Sequence, residues 1–212
     1  PMLPTPHLLA SPYIRQVLAS FGVVLSRSRL MRLAPHSEVP EHADASYHWF
    51  HRVRIHIPVI TRPEVRFRCD DQDVHMAAGE AWVFDNWRRH SVMNPTDFER
   101  VHLVADTAGT AAFWQFVGQS VQAQPDRPIA YQPGVDARLA TERTVPRPVM
   151  PPAEVELLVN DFIGELEAAE GHAEAATQLS HYVGLLNGYC LDWRQLYLLH
   201  GDEPLLVIEA GD

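Results

Sequence analysis

The stretch EHADASYHWFHRVRIHIPVI, from Glu41 to Ile60, decides how the chain folds. Its second half alternates. Val53, Ile55, Ile57 and Val59 are interleaved with Arg52, Arg54, His56 and Pro58. A period of two puts the two sets on opposite faces of a strand. If the apolar face packs against other structure, the Arg face lines the inside of a barrel, and a buried Arg needs an anion. That anion is either an internal Asp or Glu or a bound carboxylate, which a guanidinium holds through two parallel hydrogen bonds. A close echo lies downstream, where His90 is followed by Arg100-Val101-His102-Leu103.

Strand signals extend outward from this segment. Between Val23 and about Asp106, short β-branched runs are cut by Pro, Gly, Asn and Asp. Val65 to Cys69, Val74 to Met76, Ala81 to Phe84 and Val101 to Ala105 read as further strands, and many short strands with frequent turns predict a sandwich or barrel. Ser11-Pro12 reads as an N-cap followed by Pro at the first helical position, opening a helix over Tyr13 to Phe21 that Gly22 stops. Thr110 to Gln119 reads as another helix.

Beyond it, Ser120 to Pro152 contains seven prolines and reads as an extended connection. Val155, Leu158, Val159, Phe162, Ile163 and Leu166 then recur at helical spacing, as do Leu179, Tyr182, Val183, Leu186, Cys190 and Trp193. The expected organisation is a β domain with a short N-terminal helix over residues 1–120, a Pro-rich connection over 121–152 and a helical extension over 153–212. The two apolar stripes of the extension would cover the β unit or pair as a homodimer through the C-terminal helices.

Composition excludes several functions. The net charge of −10 argues against nucleic acid, whose phosphates need a clustered positive surface. All 17 basic residues are Arg; without Lys there is no Schiff-base chemistry and no P-loop. Two lone cysteines, Cys69 and Cys190, make neither a disulfide framework nor a thiolate cluster. No basic start leads into an apolar signal segment and no apolar run approaches membrane-spanning length, so a soluble cytoplasmic protein is expected.

The chemistry concentrates in His42-Ala43-Asp44. A non-haem Fe(II) centre uses two His and one carboxylate on one face of the metal and leaves three positions open. In an extended segment residues i and i+2 point the same way, so one short stretch supplies two ligands. The third must come from a distant strand, and His90 is the candidate.

These residues together resemble the aspartyl/asparaginyl β-hydroxylase family, which includes bacterial proline hydroxylases of the cis-4 type. The resemblance spans about Arg29 to Asp106 and rests on five features. They are His42-Ala43-Asp44; Arg54 opening Arg-Ile-His-Ile-Pro; Gly79-Glu80-Ala81-Trp82; His90; and Arg100 opening Arg-Val-His-Leu-Val-Ala-Asp. The resemblance implies a mainly β double-stranded β-helix, a jelly-roll or cupin-like barrel, with Fe(II), 2-oxoglutarate and O2. By position, His42, Asp44 and His90 would ligate iron and carry the catalysis. Arg100 would bind the distal carboxylate of 2-oxoglutarate, and Arg54 and His56 would line the co-substrate pocket.

The expected function is an Fe(II)- and 2-oxoglutarate-dependent dioxygenase that hydroxylates a small-molecule or peptide substrate, an amino acid or an amino-acid residue. The alternatives are a metal-dependent cupin-like dioxygenase or isomerase that uses no oxo acid, and a non-catalytic β-barrel binding module. His48 and His51 read as exposed loop residues and His102 as a packed neighbour of Arg100. Trp49, Trp82 and Trp87 flank the expected mouth, and Arg52, Arg88 and Arg89 read as surface charge.

Overall fold

The computed structural model describes residues 2–123, 127–144, 149–168 and 173–201. The chain divides into two compact units, Pro1–Val145 and Pro146–Asp212. The first contains helices α1 (Pro6–Leu9), α2 (Pro12–Ser20), α3 (Tyr47–Phe50) and α4 (Ala111–Ala123). Its strands are β1 (Val24–Leu33), β2 (Ser37–His42), β3 (Val53–Ile60), β4 (Arg66–Cys69), β5 (Gln72–Val74), β6 (Trp82–Val83), β7 (His90–Asn94), β8 (Arg100–Thr107) and β9 (Ala140–Thr141). The second contains α5 (Pro152–Ala168) and α6 (Ala173–His200).

The strands form two sheets, ordered β6-β3-β8-β1-β9 and β2-β7-β4-β5. Within them β1 pairs with β8, β2 with β7, β3 with β6 and β4 with β5, all antiparallel. That nested set is one long hairpin of eight strands. It is wound so that β3 also meets β8 and β4 also meets β7. This winding is a double-stranded β-helix, the jelly-roll solution to open sheet edges.

Strand β3 shows why the sequence chooses this fold. Residues 53 to 58 are buried on both faces. Val53, Ile55 and Ile57 join Leu18 of α2, Leu25, Leu103, Ala105 and Phe113 of α4 in the larger core, which covers the outer face of the five-stranded sheet. Arg54 and His56, on the opposite face, are buried at 6% and 7% exposure. The alternation ends earlier than the sequence predicts. A register shift between Pro58 and Ile60 leaves Val59 and Ile60 exposed. A second core, built on Val65, Phe67, Met76 and Val92, belongs to the four-stranded sheet.

Local signals explain the connections. Gly79 sits at φ +86°, a conformation that favours glycine. The Glu80 carboxylate closes the turn, accepting from the Ala77 N–H (2.8 Å) and the Trp82 indole N–H (2.7 Å). Helix α2 starts at Pro12 and ends before Gly22, at φ +63°. Ser11 occupies the N-cap position without capping; its hydroxyl donates instead to the His7 carbonyl.

Residues 127–144 of the Pro-rich connection have little regular secondary structure and hold to the first unit through hydrogen bonds. Gln16 of α2 donates to the Gln132 and Val135 carbonyls and accepts from the Gln132 N–H. Strand β9 pairs in parallel with β1. Residues 124–126 and 145–148 of this segment lie outside the described residues. In the second unit, Val155 and Val159 of α5 pack on Cys190 of α6, with Ile163, Leu186 and Trp193 around them. No helix among the described residues is long and apolar enough to cross a membrane.

Candidate metal centre

Three donors converge where β2 and β7 meet. A β-bulge between Val39 and His42 adds one residue to β2 and brings His42 into register with His90 at the start of β7. The two imidazole rings lie 4.3 Å apart, and Asp44 follows two residues after His42. One donor atom from each of His42, Asp44 and His90 lies within 4.8 Å of the other two. His90 is buried, whereas the His42 side chain is 43% exposed, so one side of the cluster opens to solvent.

The hydrogen bonds around the cluster set its chemistry. His42 Nδ1 lies 2.8 Å from the Pro40 carbonyl, and His90 Nδ1 lies 2.8 Å from the Arg88 carbonyl. A carbonyl only accepts, so Nδ1 of each ring carries a proton and Nε2 is the nitrogen left to face a metal. Asp44 is held by Asn86, which is 3% exposed. The Asn86 amide donates to Asp44 Oδ2 (3.1 Å), leaving Oδ1 on the side of His42 Nε2, 3.9 Å away. Two imidazole nitrogens and one carboxylate oxygen match the donor set of a two-His, one-carboxylate site for a divalent metal.

Further along the inner face of β8 lies Arg100, 5% exposed. Among the described residues it has no acidic partner. Its Nη2 donates to His102 Nδ1 (2.9 Å), and its Nε is buried without a hydrogen-bond partner. Burial lowers the guanidinium to about 10, which still leaves it charged at neutral pH. His102 is pushed down to about 3, by burial first and then by the Arg100 cation, and so stays neutral. Because Nδ1 accepts from Arg100, the His102 proton sits on Nε2. Both ring nitrogens of His56 are also buried without a partner. Burial, then His102 and Arg100, hold that ring well below its usual value.

Arg54 has a different fate. Strand register sets it opposite Asp106, whose carboxylate accepts from Arg54 Nε (2.8 Å) and Nη2 (3.3 Å). Arg27 also donates to Asp106. Burial pushes the Asp106 carboxyl up, but the hydrogen bonds from Arg54 and Arg27 outweigh it and hold the group below the usual carboxylate range. Of the two anions open to a buried Arg, Arg54 has the internal acid and Arg100 has none. Trp49 lies under both guanidiniums of the pair, with Arg54 4.4 Å and Arg27 5.5 Å from its ring.

The remaining candidates sort by their partners. Arg52 is held by Glu142, Arg88 by Asp70 and Arg89 by Glu41. His48 is half-buried, with its Nε2 3.4 Å from Asp106 Oδ2, and burial lowers its basicity. Trp82 joins the second core and Trp87 is exposed. Asn86 lies outside the set of residues that the sequence singles out, and Asp106 enters it only as the last residue of the Arg100 stretch, with no role of its own. Asp106 continues the period-two series Arg100, His102, Val104 along β8, which is a usable signal. Asn86 lies in a loop and has none. A cavity of about 490 Å³ shares Asn86 with the donor cluster and is walled by Trp49, Phe50, Phe84, Trp87 and Trp114.

Residues 5–109 match the model of the aspartyl/asparaginyl beta-hydroxylase family. An L-proline cis-3-hydroxylase from Streptomyces sp is 29% identical over 120 residues, a match that covers 53% of this chain and 40% of the relative. The chain thus spans well under half of that curated relative. Among solved structures, a cupin domain from Bordetella pertussis aligns at 20% identity and a TM-score of 0.31, covering 38% of this chain and 78% of that one. A cupin barrel protein from Salinispora arenicola aligns at 23% identity and a TM-score of 0.30, covering 43% and 69%. The match to the aspartyl/asparaginyl beta-hydroxylase family, over residues 5–109, takes in the nested hairpin and all three converging donors.

Proposed function

We propose that this protein is an Fe(II)- and 2-oxoglutarate-dependent hydroxylase acting on an amino acid or an amino-acid residue. The observation that carries the reading is one pairing inside one β-helix. Three metal-type donors converge, and the same interior holds a buried guanidinium, Arg100, with no acidic partner among the described residues. A metal site alone would serve many cupin-like enzymes. A buried cation without its anion is what a dicarboxylate co-substrate would complete.

His42 and His90 would hold the metal through Nε2, and Asp44 through Oδ1. Asn86 would hold the other Asp44 oxygen by a hydrogen bond and so orient the carboxylate. Arg100 would grip the distal carboxylate of 2-oxoglutarate, with His102 fixing the guanidinium through one Nη2 N–H and leaving the buried Nε–H for the ligand. His56, neutral and unpartnered, would offer its ring N–H to the same molecule. When bound, Fe(II) supplies O2 activation coupled to conversion of the oxo acid to succinate and CO2, with hydroxyl transfer to a substrate C–H bond. The aromatic-walled cavity that reaches Asn86 offers room for the substrate. The similarity to a proline hydroxylase supports an amino-acid substrate class.

The test is succinate formation from 2-oxoglutarate with Fe(II), screened against free amino acids and short peptides. Metal binding with no detectable 2-oxoglutarate binding would instead support a cupin-like dioxygenase or isomerase that uses no oxo acid. Binding of neither would support a non-catalytic module.

A further inference from the structure

Helix α6 carries two apolar seams, and the helix pair uses only one. The first seam contributes Leu186, Cys190 and Trp193 to the core shared with α5. The second runs through Tyr182, Leu185, Tyr189, Asp192, Leu196 and Leu199, at intervals of three, four, three, four and three residues. That spacing is the a/d repeat of a coiled coil. All six residues are exposed, Leu185 at 57% and Leu199 at 75%. Leu191 and Leu198, at 60% and 74%, are also exposed but lie outside this seam. Gly184 and Gly188 lie beside the seam with nothing within 4 Å of an added Cβ, so the face is open to close approach. A helix that is apolar all round is a buried helix, and a contiguous exposed stripe of this kind marks an interaction site.

We infer that this seam is a homodimer interface in which α6 of two copies packs antiparallel about a two-fold axis between Cys190 and Leu191. The seam is symmetric about that point. Reversal sets Tyr182 opposite Leu199 of the partner subunit, Leu185 opposite Leu196 of the partner subunit, and Tyr189 opposite Asp192 of the partner subunit. Each layer pairs an a position with a d position, as antiparallel coiled coils do, and an isologous contact closes at two copies. Charge selects the direction. In a parallel pair the two Asp192 carboxylates would face each other at the centre, a like-charge contact that is unfavourable. In the antiparallel pair each carboxylate meets a Tyr189 hydroxyl, which can donate to it. The seam covers 17 residue steps, about 25 Å of helix. This assembly does not depend on the chemistry proposed for the first unit.

The test is sedimentation equilibrium of the full chain over a concentration series, with three variants. Leu185→Glu and Leu196→Lys each put two unpaired charges into the interface and are expected to weaken the dimer about a hundredfold or more. The double variant, carrying both substitutions, is the directional probe. Antiparallel packing sets the introduced carboxylate of one copy against the introduced ammonium of the other and restores the dimer. Parallel packing sets like charge against like and does not. Far-UV circular dichroism checks that helix content is unchanged, as exposed positions predict. A wild-type monomer at all concentrations overturns the inference, as do single variants that dimerise like wild type. A double variant no tighter than the singles overturns the antiparallel arrangement.

Discussion

Asn86 and Asp44 hold each other twice. The Asn86 side-chain amide donates to Asp44 Oδ2 at 3.1 Å, and the Asp44 backbone N–H donates to the Asn86 carbonyl at 2.9 Å. The loop after β6 therefore sets the orientation of a carboxylate that the loop after β2 supplies. Replacing Asn86 with Ala frees one Asp44 oxygen and should weaken divalent-metal affinity about 10- to 100-fold. Anaerobic titration with Fe(II), or with Mn(II) as a redox-stable substitute, measures this. Wild-type affinity in Asn86→Ala would remove the residue from the site.

Arg100→Ala should leave metal affinity unchanged and abolish most binding of 2-oxoglutarate. Removing one partner of a buried charge pair costs about 3–5 kcal/mol, or roughly two to four orders of magnitude in dissociation constant. Arg100→Lys should recover part of the loss, since an ammonium lacks the planar fork. Paired titrations, metal first and oxo acid second, separate the two effects. Equal 2-oxoglutarate affinity in wild type and Arg100→Ala would sink the assignment.

Asp106→Ala should destabilise the first unit by about 3–5 kcal/mol, because it strands the buried Arg54 guanidinium without its anion. Equilibrium denaturation in urea reads this directly. A loss below about 1 kcal/mol would mean that Arg54 finds another acceptor or water.

Acid should weaken the fold in a defined order. His102 titrates near 3 in the folded chain, depressed by burial and then by Arg100, against about 6.5 when unfolded. Between those values the unfolded chain holds a proton that the folded chain does not. The stability present above pH about 6.5 is therefore lost progressively as pH falls toward 3. His56, depressed by burial and then by His102 and Arg100, acts with the same sign. Asp106, held low by its two Arg partners against burial, contributes stability above about pH 3.9 that is lost as pH falls through its folded value. His102→Gln should shallow the loss between pH of about 6.5 and about 4.5, read as urea midpoints at several pH values. An unchanged slope would show that His102 is not the neutral acceptor of Arg100.

Much of this architecture is legible from residue spacing because strands repeat every two residues. Val53, Ile55 and Ile57 opposite Arg54 and His56 announce a strand with two interiors, and His42, Asp44, His90 and Arg100 stand out against that period. What escapes is tertiary. Nothing local to Asn86 says that its loop returns to Asp44, 42 positions earlier. Arg54 and Arg100 look alike as sequence; only register gives one of them Asp106. Strand β9 has two residues and no periodicity to read. In α6 the spacing that marks the α5 contact conceals the second seam, because both are apolar at overlapping helical intervals.

Strand β9 carries a practical consequence for anyone trimming this chain. Strand β1 is ten residues long, and among the described residues its strand pairing on the side away from β8 is limited to Val24 and Leu25 with Ala140 and Thr141, with the Glu142 N–H donating to the Leu25 carbonyl at 3.0 Å. Glu142 also clamps Arg52 through both carboxylate oxygens at 3.0 Å. A protein ended near residue 120 would retain every metal-type donor and the whole nested hairpin. It would also present β1 as an unshielded template for strand addition by a neighbouring molecule. Such a fragment should be chemically complete yet colloidally unstable, whereas one ended after residue 144 should stay in solution.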